Sequence, residues 1–359
     1  MGQTTSTQDL HFAPEWDLHQ STFMSWPTGW GSLNNKVQSD IARVAKTISQ
    51  FEPVHMLTPP NHVKQAKSML SDQHIVIVPM AVDDLWARDT LPLFLSNGSK
   101  ELVGVNYNFN GWGGKQYHKN DAKVASRVLD HLKITGSRSE LVAEGGSIET
   151  DGEGTLLMTE SSIVNKNRNP GMSRNEIDEI FKHELGVSKI IWIKGIRDHD
   201  ITDSHIDSLA RFVAPGVVMV SRPFPAPADD AESQVWIRQY EQAMSVLKQA
   251  TDAKGRRLRI TELPEPNPNK IRQLPPGDIK LCKKIGLDCK NGGLTSYVNF
   301  YIVNGGIVMP EFGDQEADRT ARDIVQKAFP NRKVVAVNID YVAIGGGGIH
   351  CATHEVPKA

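Results

Sequence analysis

Cysteine is scarce in this chain. Its 359 residues hold three, Cys282, Cys289 and Cys351, too few for a small fold stapled by disulfides. No cysteine–histidine pair has the spacing of a structural zinc site. Cys282 and Cys289 share one Pro- and Lys-rich stretch; they would pair in an oxidising compartment, and they read equally well as two free surface thiols. Long apolar runs are missing too. Nothing approaches the ~18 consecutive apolar residues of a membrane span, so no membrane partner is expected. Met1–Leu10 is polar and lacks the apolar centre of a signal peptide. That points to the cytoplasm, with export after removal of a signal left open. Gly2–Ser6 (GQTTS) fits the myristoylation pattern only loosely. Charge of one sign is the third absence: 40 Lys+Arg stand against 42 Asp+Glu, a net −2, with no long like-charge block. No nucleic-acid partner is expected from that balance.

What is present is an ordinary globular composition, 39% hydrophobic and 23% charged, with enough chain to bury a substantial core. Short runs rich in Val and Ile, bounded by Gly, Pro and Asn, read as strands. They are Val54–Leu57, Ile75–Val78, Leu102–Asn106, Thr155–Thr159, Lys189–Ile193, Val217–Ser221, Val298–Val303, Gly306–Met309 and Lys333–Val337. Apolar residues recur every three or four positions in Asp40–Phe51, Asp121–Leu132, Arg174–Glu184, Glu232–Thr251 and Gln315–Phe329, which predicts helices. Asp121 and Ser173 stand where N-caps belong. This alternation predicts an α/β fold. With no compositional break, the chain reads as a single domain over residues 1–359. The Pro-rich stretch Pro264–Gly293 reads as a surface insertion loop.

Five segments look unlike scaffold: Asp83–Pro92 (DDLWARDTLP), Phe109–Gly114 (FNGWGG), Glu144–Gly154 (EGGSIETDGEG), Asp200–Arg211 (DITDSHIDSLAR) and Gly345–His354 (GGGGIHCATH). Each sets acidic, His, Cys or Trp residues beside glycines, which let backbone approach a ligand closely. A lone cysteine is more often a small buried hydrophobe than a nucleophile. Four glycines before Cys351 raise its standing, because a packed strand interior gains nothing from them. His350 is adjacent, but neighbouring side chains on extended chain point apart, so the base must come from elsewhere. His205 is the better candidate. Asp203, His205 and Asp207 alternate, so on extended chain all three face one side, where carboxylates orient and charge an imidazole. The same spacing places metal ligands in manganese ureohydrolases. A two-metal site needs further carboxylates and another His; no Gly-Gly-Asp-His and no second Asp-x-Asp cluster is present, and Cys351 would be left idle. Asp83 and Asp84 read as a solvated turn, and Asp151 and Glu153 as a hairpin turn.

Carboxylates beside a thiol suppress the thiolate. The combination makes sense if the substrate carries a permanent positive charge. A guanidinium is planar, cationic and forked, and carboxylates bind it bidentately. The expected partner is therefore a small cationic guanidino compound, with Trp86 or Trp112 stacking on its plane.

From Phe12–Pro27 (FAPEWDLHQSTFMSWP) to Cys351 the chain resembles the agmatine deiminase family, relatives of bacterial peptidyl-arginine deiminases. The most specific matches are WARDT, EGGSIETDGEGTLLMTE, NRNP at Asn167–Pro170, TDSHIDSLARFV, SYVNFYIVNGG and GGGGIHC. The resemblance implies five ββαβ modules around a pseudo-fivefold axis, in the manner of a propeller, with the site at its centre. It implies Cys351 as nucleophile, His205 as general acid/base, Glu144 as the carboxylate orienting that histidine, and Asp89 and Asp207 as guanidinium clamps. It also implies no metal, no organic cofactor, and homo-oligomers, although no sequence feature demands the last. The implied reaction is deimination of agmatine to N-carbamoylputrescine and ammonia, with arginine and peptidyl-arginine as alternatives. The sequence departs from the family pattern at Leu91 (for Gly), Glu149 (for His), the shorter KQYHKND loop and the ATHE run. These departures are expected near the site entrance.

Overall fold

A computed structural model describes residues 10–287, 289 and 293–359; the Gly2–Ser6 pattern lies outside them. The fold is mixed α/β. Its strands are β1 (His19–Ser25), β2 (Val54–Thr58), β3 (Ile75–Pro79), β4 (Leu93–Ser96), β5 (Leu102–Asn106), β6 (Thr135–Arg138), β7 (Ile148–Thr150), β8 (Thr155–Thr159), β9 (Lys189–Ile193), β10 (Ala210–Ala214), β11 (Val217–Arg222), β12 (Arg259–Pro264), β13 (Tyr301–Val303), β14 (Gly306–Glu311), β15 (Lys333–Asn338) and β16 (Thr353–Pro357). Among the described residues they form five small sheets, ordered β4-β5-β6, β7-β8-β9, β10-β11-β12, β13-β14-β15 and β16-β1-β2-β3.

One connectivity recurs. In each three-stranded sheet the first two strands form an antiparallel hairpin and the third runs parallel to the second. A helix makes that parallel return, as a crossover must: Val124–Leu132, Arg174–Leu185, Ala231–Gln249 and Gln315–Ala328 in turn. The fifth sheet joins the chain's two ends. β16 pairs antiparallel with β1, and β1 runs parallel to β2 across the helix Asn34–Ile48. Local chemistry agrees with these boundaries. Ser173 and Glu176 form a capping box on the helix Arg174–Leu185, and Gly186 ends it in a left-handed conformation. Asp230 and Asp314 cap the next two helices. All five side chains of β8 are buried, as expected of a central strand covered on both faces.

Several expectations need correction. The N-terminal helix begins at Asn34, six residues early, and stops at Ile48. Val298–Val303 is a strand only from Tyr301, because Asn299 turns inward to bind two loops. Asp121 is not a helix cap; its carboxylate accepts from the backbone N–H groups of Asp83 and Asp84. Asp84 in turn accepts from Trp30 Nε1 and Gln116 Nε2, so Asp83–Asp84 is an anchored turn rather than a solvated one. The insertion around Pro264–Gly293 carries a helix, Pro276–Lys284, and Cys282 and Cys289 are joined in a disulfide. Asp288 and residues 290–292 of this stretch fall outside the described residues.

The architecture places five short segments alike. Each hairpin is entered through a turn: Ala87–Thr90 before β4, Gly145–Ser147 before β7, Ile206–Ser208 before β10, the turn at Asn299 before β13, and the turn at Cys351 before β16. The site is built from these five entry turns.

Candidate active site

Cys351 is half-buried, its Sγ 3.4 Å from Asp207 Oδ2. Asn299 Nδ2 donates to the same sulfur at 3.2 Å, and Asn299 Oδ1 accepts from the Cys351 N–H at 3.3 Å. The glycine run before it follows from packing. A Cβ on Gly345 or Gly347 would lie 2.2 Å from Trp30 or Trp86 respectively, and one on Gly348 would lie 2.4 Å from Asn299 Oδ1. These glycines bring the loop down onto two indoles and the asparagine that orients the sulfur. Burial, then Asp207 and Asp89, push the thiol well above its ordinary value.

His205 stands at the start of the turn before β10. Its Nε2 lies 3.3 Å from Glu144 Oε2, and its Nδ1 3.7 Å from Asp89 Oδ1. Burial works against its charge, but Asp89, Glu144 and Asp207 outweigh burial and lift it to about 9. The ring is thus an imidazolium at neutral pH. Glu144 is buried as well; Arg168 and His205 overcome that burial and hold it below the usual carboxylate range.

Asp89 accepts from the Gly146 N–H at 2.9 Å through Oδ1, and from Trp112 Nε1 at 2.9 Å through Oδ2. Its carboxyl is raised, chiefly by burial. Asp207 is also buried, yet His350, with Nδ1 2.7 Å from Oδ2, keeps it lowered. Gly146 shows where these groups converge. A methyl built on it would lie 2.7 Å from His205 Nδ1, 2.9 Å from Asp89 Oδ1 and 3.1 Å from Asp207 Oδ2. These distances leave no room for a side chain, so the glycine lets an imidazole and two carboxylates close together against the backbone.

Sequence reasoning placed Asp203, His205 and Asp207 on one face. The structure does not. Positive φ at Asp203 (61°) and Ser204 (68°) breaks the extended run. The Asp203 carboxylate turns away to Lys115 and Arg168, at 2.8 Å from each. Among the described residues no three His, Cys, Asp or Glu side chains are arranged so that they could hold a metal ion. The tryptophans also have other partners than expected. Trp112 spends its indole N–H on Asp89, and Trp86 lies against Gly345 and Gly347. Of the departures expected at an entrance, Leu91, Glu149 and His354 are buried. Glu149 pairs with Arg211 at 2.6 Å; only the Lys115–Asp121 loop reaches the surface.

Four functional positions escaped sequence reasoning. His350, dismissed as a partner of Cys351, braces Asp207 instead, with its Nε2 2.8 Å from Glu15 Oε2. Glu15 also pairs with Arg211 at 2.8 Å and Arg88 at 3.2 Å. Arg168 ties Glu144 to Asp203 at 2.8 Å each. Asn299 latches the Asp207 turn to the Cys351 turn. Glu15, Arg168 and Asn299 stand in FAPEWD, NRNP and SYVNF, and the signal for each was a polar residue in an apolar or proline-bound setting without a local partner.

A suppressed thiol and a charged imidazole meeting two carboxylates equip an enzyme that hydrolyses a C–N bond in a cationic amidine or guanidine. The family follows from comparison. The model of Porphyromonas-type peptidyl-arginine deiminases matches residues 11–357, and the chain belongs to that family. It is 37% identical to an agmatine deiminase of Ectopseudomonas mendocina and 38% identical to one of Stutzerimonas stutzeri, in both cases over 99% of this chain and 97% of the relative. Among solved structures, an agmatine deiminase of Enterococcus faecalis superposes with a TM-score of 0.87 at 30% identity, covering 99% of each chain.

Proposed function

We propose that the protein deiminates agmatine to N-carbamoylputrescine and ammonia through a covalent Cys351 adduct. The carrying observation is the convergence of Asp89, Asp207 and His205 on Gly146 next to the Asp207-bound thiol. The guanidinium is held by the carboxylates of Asp89 and Asp207. Its charge offsets the two carboxylates that suppress the thiol, so binding itself favours the thiolate. Sulfur attacks the central carbon, and the imidazolium of His205 protonates the departing amine, which leaves as ammonia. The neutral imidazole, oriented by Glu144, takes a proton from water as that water attacks the thiouronium carbon. Collapse expels the thiolate, which regains its proton, and releases the ureido product. Trp112 positions Asp89, and Trp86 supports the glycine loop.

The five recurrent sheets, each entered through a site turn, support a single domain of five modules around a pseudo-fivefold axis. The agmatine deiminases named above, aligned over nearly the whole chain, support agmatine over arginine and peptidyl-arginine. The test is a panel of agmatine, arginine and arginyl peptides assayed for ureido product with wild type and Cys351→Ala. Turnover of agmatine, its loss in the variant, and a mass adduct on Cys351 trapped at low pH are expected. Full activity in Cys351→Ala would sink the covalent reading, and preference for peptides would sink agmatine.

A further inference from the structure

The deiminase reading accounts for the guanidinium and leaves the rest of the substrate without a partner. A cavity of about 260 Å³ adjoins the site. His205, Ser208, Ser296 and Gly346 lie on its wall, so the loops that hold the imidazole, Asp207, Asn299 and the thiol also bound this space. Trp236, Tyr240 and Glu265 line it as well. The volume falls just below the ~300–1,000 Å³ typical of pockets for drug-sized ligands, and suits a short chain.

Apart from the His205 ring at the site end, the charges on this wall are one-sided. The described residues lining the cavity include two carboxylates, Asp200 and Glu265, and no lysine or arginine. Asp200 is occupied by its own loop, accepting from the Thr202 N–H at 2.7 Å, the Thr202 hydroxyl at 2.5 Å and the Ser204 N–H at 3.1 Å. Glu265 is different. Its Oε1 accepts from Ser221 Oγ at 2.7 Å, and among the described residues it has no ion-pair partner, although burial pushes its carboxyl up. Trp236 and Tyr240 add aromatic faces, which attract cations. A wall of this kind takes an ammonium and repels a carboxylate.

We propose that Glu265 receives the distal ammonium of the substrate and so sets specificity for an amine-terminated guanidine over an amino-acid one. This rests on the deiminase reading. Substrate would lie with its guanidinium at Asp89 and Asp207 and its aminoalkyl chain along the cavity. Agmatine offers Glu265 a counter-ion. Butylguanidine, the same chain without the amine, offers none, and arginine brings an α-carboxylate that no lysine or arginine of the lining meets.

The experiment compares kcat/KM for agmatine, butylguanidine and arginine in wild type and Glu265→Gln. Glutamine keeps an acceptor for Ser221 and removes the charge alone. Wild type is expected to rank agmatine first and arginine last. In Glu265→Gln the agmatine-to-butylguanidine ratio should fall roughly ten- to hundred-fold, the scale of a hydrogen bond to a charged group, through KM rather than kcat. An unchanged ratio in a folded variant would overturn the assignment and leave the deiminase reading standing. Wild type taking arginine as readily as agmatine would overturn it without any variant. Wild type inert towards all three would overturn the deiminase reading and this inference with it.

Discussion

The wall that carries His205 and the wall that carries Cys351 are each backed by a relay of paired ionisable side chains, yet they leave their reactive groups in opposite conditions. Behind His205 run Glu144, Arg168, Asp203 and Lys115, and the last is partly exposed, so this relay opens to solvent. Behind Cys351 run Asp207, His350, Glu15, Arg211 and Glu149, all buried but for Glu15, whose side chain is 8% exposed. The carboxylates charge the imidazole to about 9 and suppress the thiol. The acid is therefore ready before substrate arrives, and the nucleophile waits for a cation. A resting enzyme arranged this way keeps its thiol protected from adventitious electrophiles.

Breaking each relay at its arginine tests this contrast most severely. Removing one partner of a buried ion pair costs about 3–5 kcal/mol, because a carboxylate is left behind uncompensated. Arg168→Met leaves Asp203 with Lys115, whereas Arg211→Met leaves Glu149 with no other ion-pair partner among the described residues. Urea unfolding should show the larger loss for Arg211→Met; equal losses would erase the distinction between an open and a closed relay. The imidazole adds a pH dependence. His205 is raised to about 9 in the fold against ~6.5 when unfolded. Its contribution to stability is whole below the unfolded value and is lost as pH rises through the folded one. Melting temperature should fall across that window, and the slope should flatten in His205→Asn. An equal slope in the variant would show that His205 is not held as an imidazolium.

Gly146→Ala tests the meeting of the walls. A methyl there lies within about 3 Å of His205, Asp89 and Asp207, so it would push apart the groups assigned to the guanidinium and the proton. Displacing reacting groups by an ångström costs about 10²-fold in rate, so kcat/KM should fall at least that far while the protein still folds. Wild-type rates in this variant would remove the guanidinium from between Asp89 and Asp207.

The two walls were unequally legible in the sequence. Cys351, His205, Glu144, Asp89 and Asp207 were readable because glycines and carboxylates cluster around them along the chain. Their supports were not, because His350 meets Glu15 across 335 positions and Arg211 meets Glu15 across 196; no local spacing encodes such pairs. Asn299 sat inside a run read as strand, and only its equivalence with the other entry turns reveals it. Alternation of elements gave the α/β class, but β6, whose four residues are all exposed, carries no periodic signal. The three-residue β7 is too short to show one. Asp203 was misplaced because two positive-φ residues interrupted a pattern that assumed extended chain.

The smallest expected effect bears most directly on the waiting nucleophile. Two haloacetyl reagents of nearly one shape, 2-chloroacetamide and 2-chloroacetamidine, differ by a positive charge on the amidine. Both alkylate only thiolate. In the resting site Asp207 and Asp89 oppose that thiolate, so the neutral amide should react slowly near neutrality and faster as pH rises toward the raised value of the thiol. The amidine brings its own cation between the carboxylates and offsets them. Each unit of thiol pKa so recovered gives about tenfold more thiolate. Relative to free cysteine under the same conditions, the amidine should therefore outpace the amide on Cys351 by about tenfold or more near neutral pH, with the advantage shrinking as pH rises. The comparison isolates charge, since the leaving group and the attacking sulfur are common to both. Equal rates relative to free cysteine would mean that the carboxylates do not govern the thiol, and the contrast between a charged acid and a waiting nucleophile would fall.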